Sequence, residues 1–259
     1  MTTVKDIVRF METIAPQSKK ESWDNVGLLC GRENQEVRTV LVALDPFEDT
    51  AQEAVDLGAE LILTHHPLIF HPLPSITDNT AIGRTVFTLV RHDISAFCAH
   101  TNLDIAPEGV NHQLARILGL EDIAIIDPTE PGWGLMRRGT VAEQSLESFL
   151  SQVKQALDAP GLRYASAGKN VHHVAVGGGA CAEEWPAVVQ AGCDTFVTSD
   201  VRYNDFWDAR DAGLNIIDAG HFYTENPVCS YLKEMLSAAF PEIKVVISQK
   251  HRDCMKFYG

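Results

Sequence analysis

The chain has 259 residues, of which 45% are hydrophobic, so it can bury the core of one large domain or of two smaller ones. Its 35 acidic residues outnumber its 21 basic residues and give a formal net charge of −14. This charge argues against sequence-independent binding to nucleic acid and against docking on anionic membranes, because both rest on Lys and Arg.

The sequence gives no indication of a membrane span or of a signal peptide. No apolar run approaches the ~20 residues that span a bilayer, and residues 1–7 lack the basic-then-apolar profile of a signal peptide. The six cysteines form no CxxC pair and lie scattered in mostly apolar surroundings, which favours a reducing compartment. We therefore expect a cytoplasmic protein that does not bind a membrane.

Hydrophobic periodicity alternates between strand and helix through the first half of the chain. The predicted helices are 3–15, 47–57, 81–91 and 110–118, and the predicted strands are 37–44, 60–64 and 94–100. Strands that alternate with helices at this spacing are typical of an α/β fold with mainly parallel sheets.

The Pro- and Gly-rich segment 127–134 marks a crossing between domains. After it the pattern predicts strands 135–142, 171–176, 194–198, 214–218 and 243–248, with helices 146–157, 182–191, 201–212 and 227–239. We expect two α/β lobes, with the final helix and strand returning to the first. The first lobe comprises 1–128 plus 219–259, and the second comprises 129–218.

His65 and His66 are adjacent and stand between the aliphatic strand 60–64 and Pro67. Neutral imidazole is a common metal ligand, and proline fixes the backbone directly after the pair. The alternation of side chains can relax at a strand end, so both rings could face one cavity. Two neighbouring ligands suit two metal ions better than one, although a surface loop remains the alternative.

Other ligand-type side chains also follow predicted strands, namely Asp104, His221 and Glu225. Parallel α/β sheets gather ligands outside the carboxyl ends of their strands. A carboxylate has two oxygens, so Glu225 could bridge two ions ~3.5–4 Å apart. The alternatives are that Asp104 is a turn or cap residue and that His221 and Glu225 are exposed before a helix beginning at Pro227.

Three further segments have both a structural and a functional interpretation. Gly177–Gly179 between a strand and a helix predicts a tight turn more strongly than an anion cradle. Thr198–Asp200 either lines the cleft or caps the following helix, and Ser22–Leu28 is either a structural turn or a rim for a substrate or subunit. Asn226 precedes a proline and is expected to avoid helical geometry.

Taken together, these segments resemble the NIF-three-like dinuclear-metal proteins, a family also labelled GTP cyclohydrolase 1 type 2 homologues. The resemblance is carried, in the family's order, by Ser22–Leu28, Thr64–Pro67, His100–Asp104, Thr198–Asp200 and Gly220–Glu225. The length matches the family's short form, which lacks a domain inserted mid-chain.

The resemblance implies two α/β lobes with the metal site between them and a toroidal homohexamer. It implies two divalent ions per chain, of Zn, Mn, Fe or a similar metal. Carried over by position, the ligands are His65, His66, Asp104, His221 and Glu225, with Glu225 bridging and the two adjacent histidines serving different ions.

Two functions of different classes follow as expectations. The first is a metal-dependent hydrolase of a nucleotide or related small molecule, with His100 or Asp45 supporting a ligand. The family label suggests ring opening of GTP with formate release, although shared architecture does not fix a substrate. The second is a non-catalytic hexameric scaffold or regulator that binds metal. A metallophosphoesterase shares the dinuclear chemistry and is a third hypothesis.

Overall fold

The computed structural model describes residues 1–256 and 258, which form two compact units. Unit 1 comprises Met1–Leu103 and Cys229–Asp253, and unit 2 comprises Asp104–Val228 with the described residues from Cys254 onward. The sequence predicts these boundaries after residues 128 and 218, whereas the units divide after residues 103 and 228. The first difference arises because a strand at 121–126 pairs within the second sheet.

The sheet of unit 1 has five strands in the order β1-β4-β3-β2-β11. Its strands are β1 (Gly27–Cys30), β2 (Thr39–Ala43), β3 (Leu61–Thr64), β4 (Ser95–Cys98) and β11 (Lys244–Ile247). Strands β4, β3, β2 and β11 run parallel, and β1 adds antiparallel to β4. Every residue of β3 and β4 is buried, as expected for parallel strands covered on both faces.

The helices of unit 1 begin and end at residues with clear local reasons. Helix α1 (Val4–Ile14) starts at Thr3, whose side chain forms a capping box with Asp6. Helix α2 (Glu48–Leu57) ends at Gly58, which adopts the left-handed conformation with φ 63°. Helix α3 (Ala81–Arg91) begins after Thr80, whose side chain accepts a hydrogen bond from the backbone of Gly83.

The sheet of unit 2 has six strands in the order β5-β6-β8-β9-β10-β7. Its strands are β5 (Glu121–Ile126), β6 (Met136–Gln144), β7 (Arg163–Ala165), β8 (Val171–Val176), β9 (Thr195–Thr198) and β10 (Asn215–Asp218). Only β8, β9 and β10 run parallel among these. The α/β class is confirmed, but the prediction of mainly parallel sheets holds for unit 1 only, because antiparallel strands flank the parallel centre here.

Helices cover both faces of the second sheet. They are α5 (Val110–Ile117), α6 (Leu146–Ala156), α7 (Trp185–Gln190), α8 (Tyr203–Asp211) and α9 (His221–Glu225). Alternation along the strands feeds two cores, since Val197 and Ile217 pack in one cluster while Phe196 and Ile216 pack in the other. The one-turn α4 (Thr101–Asp104) and α10 (Pro227–Ala239) contain the points where the chain passes between units.

Most predicted helices and strands have a counterpart within a few residues, and α10 has the predicted bounds. Strand β11 pairs with β2, so the last strand returns to the first sheet as expected. The expectation for Asn226 is wrong, because this residue is helical with φ −52° and ψ −30° despite the proline after it. Within the described part of the chain, no helix is both long and apolar enough to cross a bilayer.

Candidate metal centre

The predicted histidine pair lies just after β3 in unit 1. The backbone N–H of His66 donates to the carbonyl of Leu44 (2.9 Å), and the Thr64 hydroxyl donates to the carbonyl of His66 (2.7 Å). These bonds hold the segment against the extension of β2. The two imidazole centroids lie 5.0 Å apart, and the ring of His100 lies 5.1 and 5.6 Å from them. Ligand atoms of the three histidines all lie within 4.8 Å of one another.

All three imidazoles are oriented by an oxygen at Nδ1. Nδ1 of His65 lies 3.0 Å from the carbonyl oxygen of Ala99, that of His66 lies 2.7 Å from a carboxylate oxygen of Asp45, and that of His100 lies 3.0 Å from one of Asp24. Carbonyl and carboxylate oxygens accept hydrogen bonds, so each Nδ1 donates. Nε2 is thereby left as the nitrogen that can bind a metal, which is the usual arrangement of ligating histidines.

Asp24 is a fixed anion behind His100. Its side chain is buried, and its second oxygen accepts from the backbone N–H and the hydroxyl of Thr101 (3.1 and 2.5 Å). Burial raises the pKa of Asp24, but the hydrogen bonds from His100 and Thr101 outweigh it and hold that pKa well below its usual range. The segment Ser22–Leu28 therefore contributes a residue that orients His100.

Unit 2 holds the other predicted ligands. His221 begins α9, with Nδ1 2.8 Å from Asp200 and Nε2 3.1 Å from a carboxylate oxygen of Glu225. Residues four apart on a helix share a face, which places Glu225 beside His221. Glu225 is 4% exposed. A carboxylate oxygen of Asp104 lies within 4.8 Å of one of Glu225.

The carboxylates around His221 change its titration. Burial lowers the pKa of His221, but hydrogen bonds to Asp200 and Glu225 and their charges outweigh it and raise the pKa to about 10. The pKa of Asp200 is lowered chiefly by the hydrogen bond with His221. This cluster therefore attracts positive charge, and in the absence of metal a proton supplies it.

The glycine turn after β8 makes room for Glu225. The N–H of Gly178 donates to the side chain of Asn111 (2.6 Å) and that of Gly179 to the hydroxyl of Thr224 (3.0 Å), so both already have internal acceptors. This agrees with the tight turn rather than the anion cradle. Gly179 has φ +61°, and a Cβ there would lie 2.1 Å from a carboxylate oxygen of Glu225.

The alternative that Ser199 or Asp200 caps the next helix is wrong. Helix α8 begins at Tyr203 with Arg202 at its N-cap, and the Ser199 hydroxyl instead donates to the carbonyl of Gly179 (2.5 Å). Asp200 adopts a positive φ of 54° and bonds His221. The Thr198–Asp200 segment thus adjoins the predicted ligands of unit 2.

The sequence predicts part of this set of contacts. Asp45, which is expected to support a ligand, contacts His66, whereas His100 has the same Nδ1 arrangement as the two predicted histidine ligands. Asp24 and Asp200 were not predicted as partners of histidines. The only sequence signal for these two aspartates is that each lies in a segment with a possible functional interpretation, Ser22–Leu28 or Thr198–Asp200.

The side chains present fit a divalent metal ion. Each of four imidazoles has its Nδ1 against an oxygen, and buried or half-buried carboxylates accompany them. Nitrogen and oxygen donors of this kind suit Zn²⁺, Mn²⁺ or Fe²⁺. The molecule is therefore an α/β protein with imidazole and carboxylate groups that could hold a metal ion.

Comparison with known proteins agrees with that class. The model of the Duf34/NIF3 (NGG1p interacting factor 3) family matches residues 2–254. The GTP cyclohydrolase 1 type 2 homolog of Clostridium perfringens is 34% identical over 259 residues, with 98% of this chain and 99% of that protein covered. A protein of the same name from Streptomyces coelicolor is 36% identical over 239 residues, covering 88% and 84%. The chain belongs to the Duf34/NIF3 family.

Solved structures share the whole fold. The crystal structure of a Staphylococcus aureus hypothetical protein superposes with a TM-score of 0.94 at 30% identity, covering 99% of both chains. A Bacillus cereus protein related to NIF3 superposes with a TM-score of 0.94 at 26% identity, covering 100% of this chain and 99% of that one.

Proposed function

We propose that this protein binds two divalent metal ions through His65, His66, Asp104, His221 and Glu225, with Glu225 bridging the ions. The observation that carries the proposal is the shared orientation of the imidazoles, each with Nδ1 held by an oxygen. Such partners fix the ring and raise the basicity of the other nitrogen. The buried carboxylate of Glu225 offers two oxygens.

We further propose that the protein is a metal-dependent hydrolase acting on a nucleotide or a related small molecule. Its relatives carry the name GTP cyclohydrolase 1 type 2 homolog, which supports this substrate class. When bound, a pair of divalent ions activates water and polarises a substrate oxygen. The chain's own contribution is to hold the imidazoles in place through Asp24, Asp45 and Asp200.

Turnover of a nucleotide panel tests the hydrolase proposal. The metal-loaded protein should release formate from GTP or hydrolyse another member of the panel. His66→Ala should abolish the activity, whereas His92→Ala should retain it, because His92 is exposed at the end of α3. If the fully loaded protein turns over neither nucleotides nor phosphate esters, the hydrolase proposal is wrong.

The alternative is a non-catalytic scaffold or regulator that binds metal. For either function, we propose that the protein is cytoplasmic and forms the homohexamer implied by the family resemblance. Light scattering of His66→Ala separates the two functions. Loss of assembly with no activity in the wild type would favour the scaffold, whereas an intact assembly that lost activity would favour the enzyme.

A further inference from the structure

A cavity of about 570 Å³ lies in unit 1 beside His66. Its walls come from three segments, namely the end of β2 with the start of α2, the loop after β3, and the start of α3. Pockets for small molecules fall in this size range. His66 and its partner Asp45 both line the cavity, so a ligand within it would lie next to a proposed metal ligand.

The walls of the cavity are apolar and partly aromatic. Phe47 is 62% exposed although it lies against the cavity, and Ile82 and Pro67 contribute further apolar surface. Phe70 also lines it, and the Phe70 ring lies 6.1 Å from His100 between centroids. An exposed aromatic ring beside a cavity provides a face on which a planar ligand can stack.

The charged groups of the cavity are acidic. Asp45, Glu48 and Asp49 line it, whereas none of the described lining residues is Lys or Arg. Two arginines outside the lining pair with these groups: Arg84 holds both oxygens of Glu48 (2.7 and 2.9 Å), and Arg252 lies 3.2 Å from a carboxylate oxygen of Asp49. A phosphate chain would meet like charges here, whereas an N–H donor on a ring would meet acceptors, because a carboxylate can accept from several donors.

The N-termini of α2 and α3 at the cavity also disfavour a bound anion. Glu48 and Asp49 occupy the first turn of α2, where acidic side chains compensate the helix dipole. At the start of α3, the side chain of Thr80 accepts from Gly83. Negative charge therefore already lies at the N-terminus of α2, which has no side-chain cap, and the N-terminus of α3 has a side-chain acceptor from Thr80.

We propose that this cavity binds an uncharged or cationic planar nitrogen heterocycle, such as the base of a nucleoside, and excludes phosphate groups. The ring stacks on Phe47, and its N–H groups donate to the carboxylates. The inference rests on the proposed function in treating the bound ring as part of a substrate. It narrows the substrate class from nucleotides in general to molecules whose ring enters the cavity while any phosphate stays outside.

Calorimetric titration with the four common nucleosides and with their 5′-triphosphates, on metal-free and metal-loaded protein, tests the proposal. At least one nucleoside should bind the metal-free protein about tenfold more tightly than its triphosphate. Phe47→Ala should weaken that binding about tenfold, which is within the range for one stacked base. Phe87→Ala is the matched control, because Phe87 is an exposed phenylalanine of α3 that does not line the cavity.

Charge reversal provides a second variant. Asp49 is an exposed lining residue, so Asp49→Lys should fold and should shift the preference toward the triphosphate. The proposal is overturned if no nucleoside binds or if the metal-free wild type binds the triphosphate more tightly than the nucleoside. It is also overturned if Phe47→Ala and Phe87→Ala change the nucleoside affinity equally. A protein that binds two metal ions but no nucleoside would contradict this inference and leave the proposed metal site intact. Ring binding to a protein that takes up no metal would reject the proposed metal site alone.

Discussion

The two units differ in the kinds of ligand-type side chain that each brings together. Unit 1 gathers three imidazoles, and its carboxylates Asp24 and Asp45 lie behind the rings at Nδ1. The cluster of unit 2 contains one imidazole, that of His221, which lies between the carboxylates of Asp200 and Glu225. Nitrogen ligands thus dominate one cluster and anionic oxygens the other.

This difference indicates a division of roles if both clusters bind metal. Imidazoles favour transition metals over Mg²⁺ or Ca²⁺, so the unit 1 cluster would contribute selectivity. Carboxylates balance the positive charge of the ions, and the raised pKa of His221 shows that the unit 2 cluster already attracts a cation. A metal arriving at unit 2 must therefore displace a proton, which couples its binding to pH.

The largest effect on the unit 2 cluster should come from adding one methyl group. Gly179→Ala should place its Cβ against Glu225 and displace this carboxylate. The metal affinity should then fall by a hundredfold or more, which corresponds to about 3 kcal/mol of binding free energy. Gly168→Ala is the control, since Gly168 also has positive φ but nothing lies within 4 Å of its added Cβ. It should cost about 1–2 kcal/mol of stability through backbone strain and leave metal binding unchanged.

The aspartates behind the histidines should have unequal effects. Asp45→Asn should lower metal affinity by about 10–100-fold, as other losses of such partners do. Asp200→Asn should lower it by about tenfold or less, because losing this charge also loosens the proton that competes for His221. Asparagine tolerates the positive φ of position 200.

Competition titrations with a chromophoric chelator measure both affinities. Asp208→Asn is the control, since Asp208 is an exposed residue of α8. Equal losses in Asp45→Asn and Asp200→Asn would contradict the proposed difference between the clusters.

A smaller effect concerns the stability of the metal-free protein. The pKa of His221 is raised from 6.5 to about 10, so its contribution is fully present below pH 6.5 and is lost as the pH rises toward 10. After allowing for solvent screening of a partly exposed ring, we expect a loss of about 1–2 kcal/mol. Urea unfolding should show this decline in the wild type, and His221→Ala should flatten it; an unchanged slope in the variant would reject the assignment.

Sequence patterns predicted the longer elements better than the short ones. Helix α10 and strand β3 have strong periodic or aliphatic signals. Strand β7 has three residues at a sheet edge, and β5 is largely exposed and contains Asp122 with positive φ, so neither carries a clear pattern. Strand β1 lies partly in a segment interpreted as a loop.

The candidate site shows the same limit. Adjacent histidines and strand ends are visible in the sequence, so His65 and His66 could be singled out. The bond between Asp24 and His100 joins residues 76 positions apart, and that between Asp200 and His221 joins residues 21 apart. Such pairs depend on the tertiary fold, and no local pattern predicts them.

The most direct test of the central claim is metal content per chain, measured by elemental analysis after reconstitution with Zn²⁺, Mn²⁺ or Fe²⁺. The account predicts about two ions in the wild type, as in dinuclear sites, and a sharp fall in Glu225→Ala. Glu234→Ala, which changes an exposed glutamate of α10, should keep both ions. A wild type that binds no metal, or a Glu225→Ala variant that keeps two ions, would contradict the proposed bridged site.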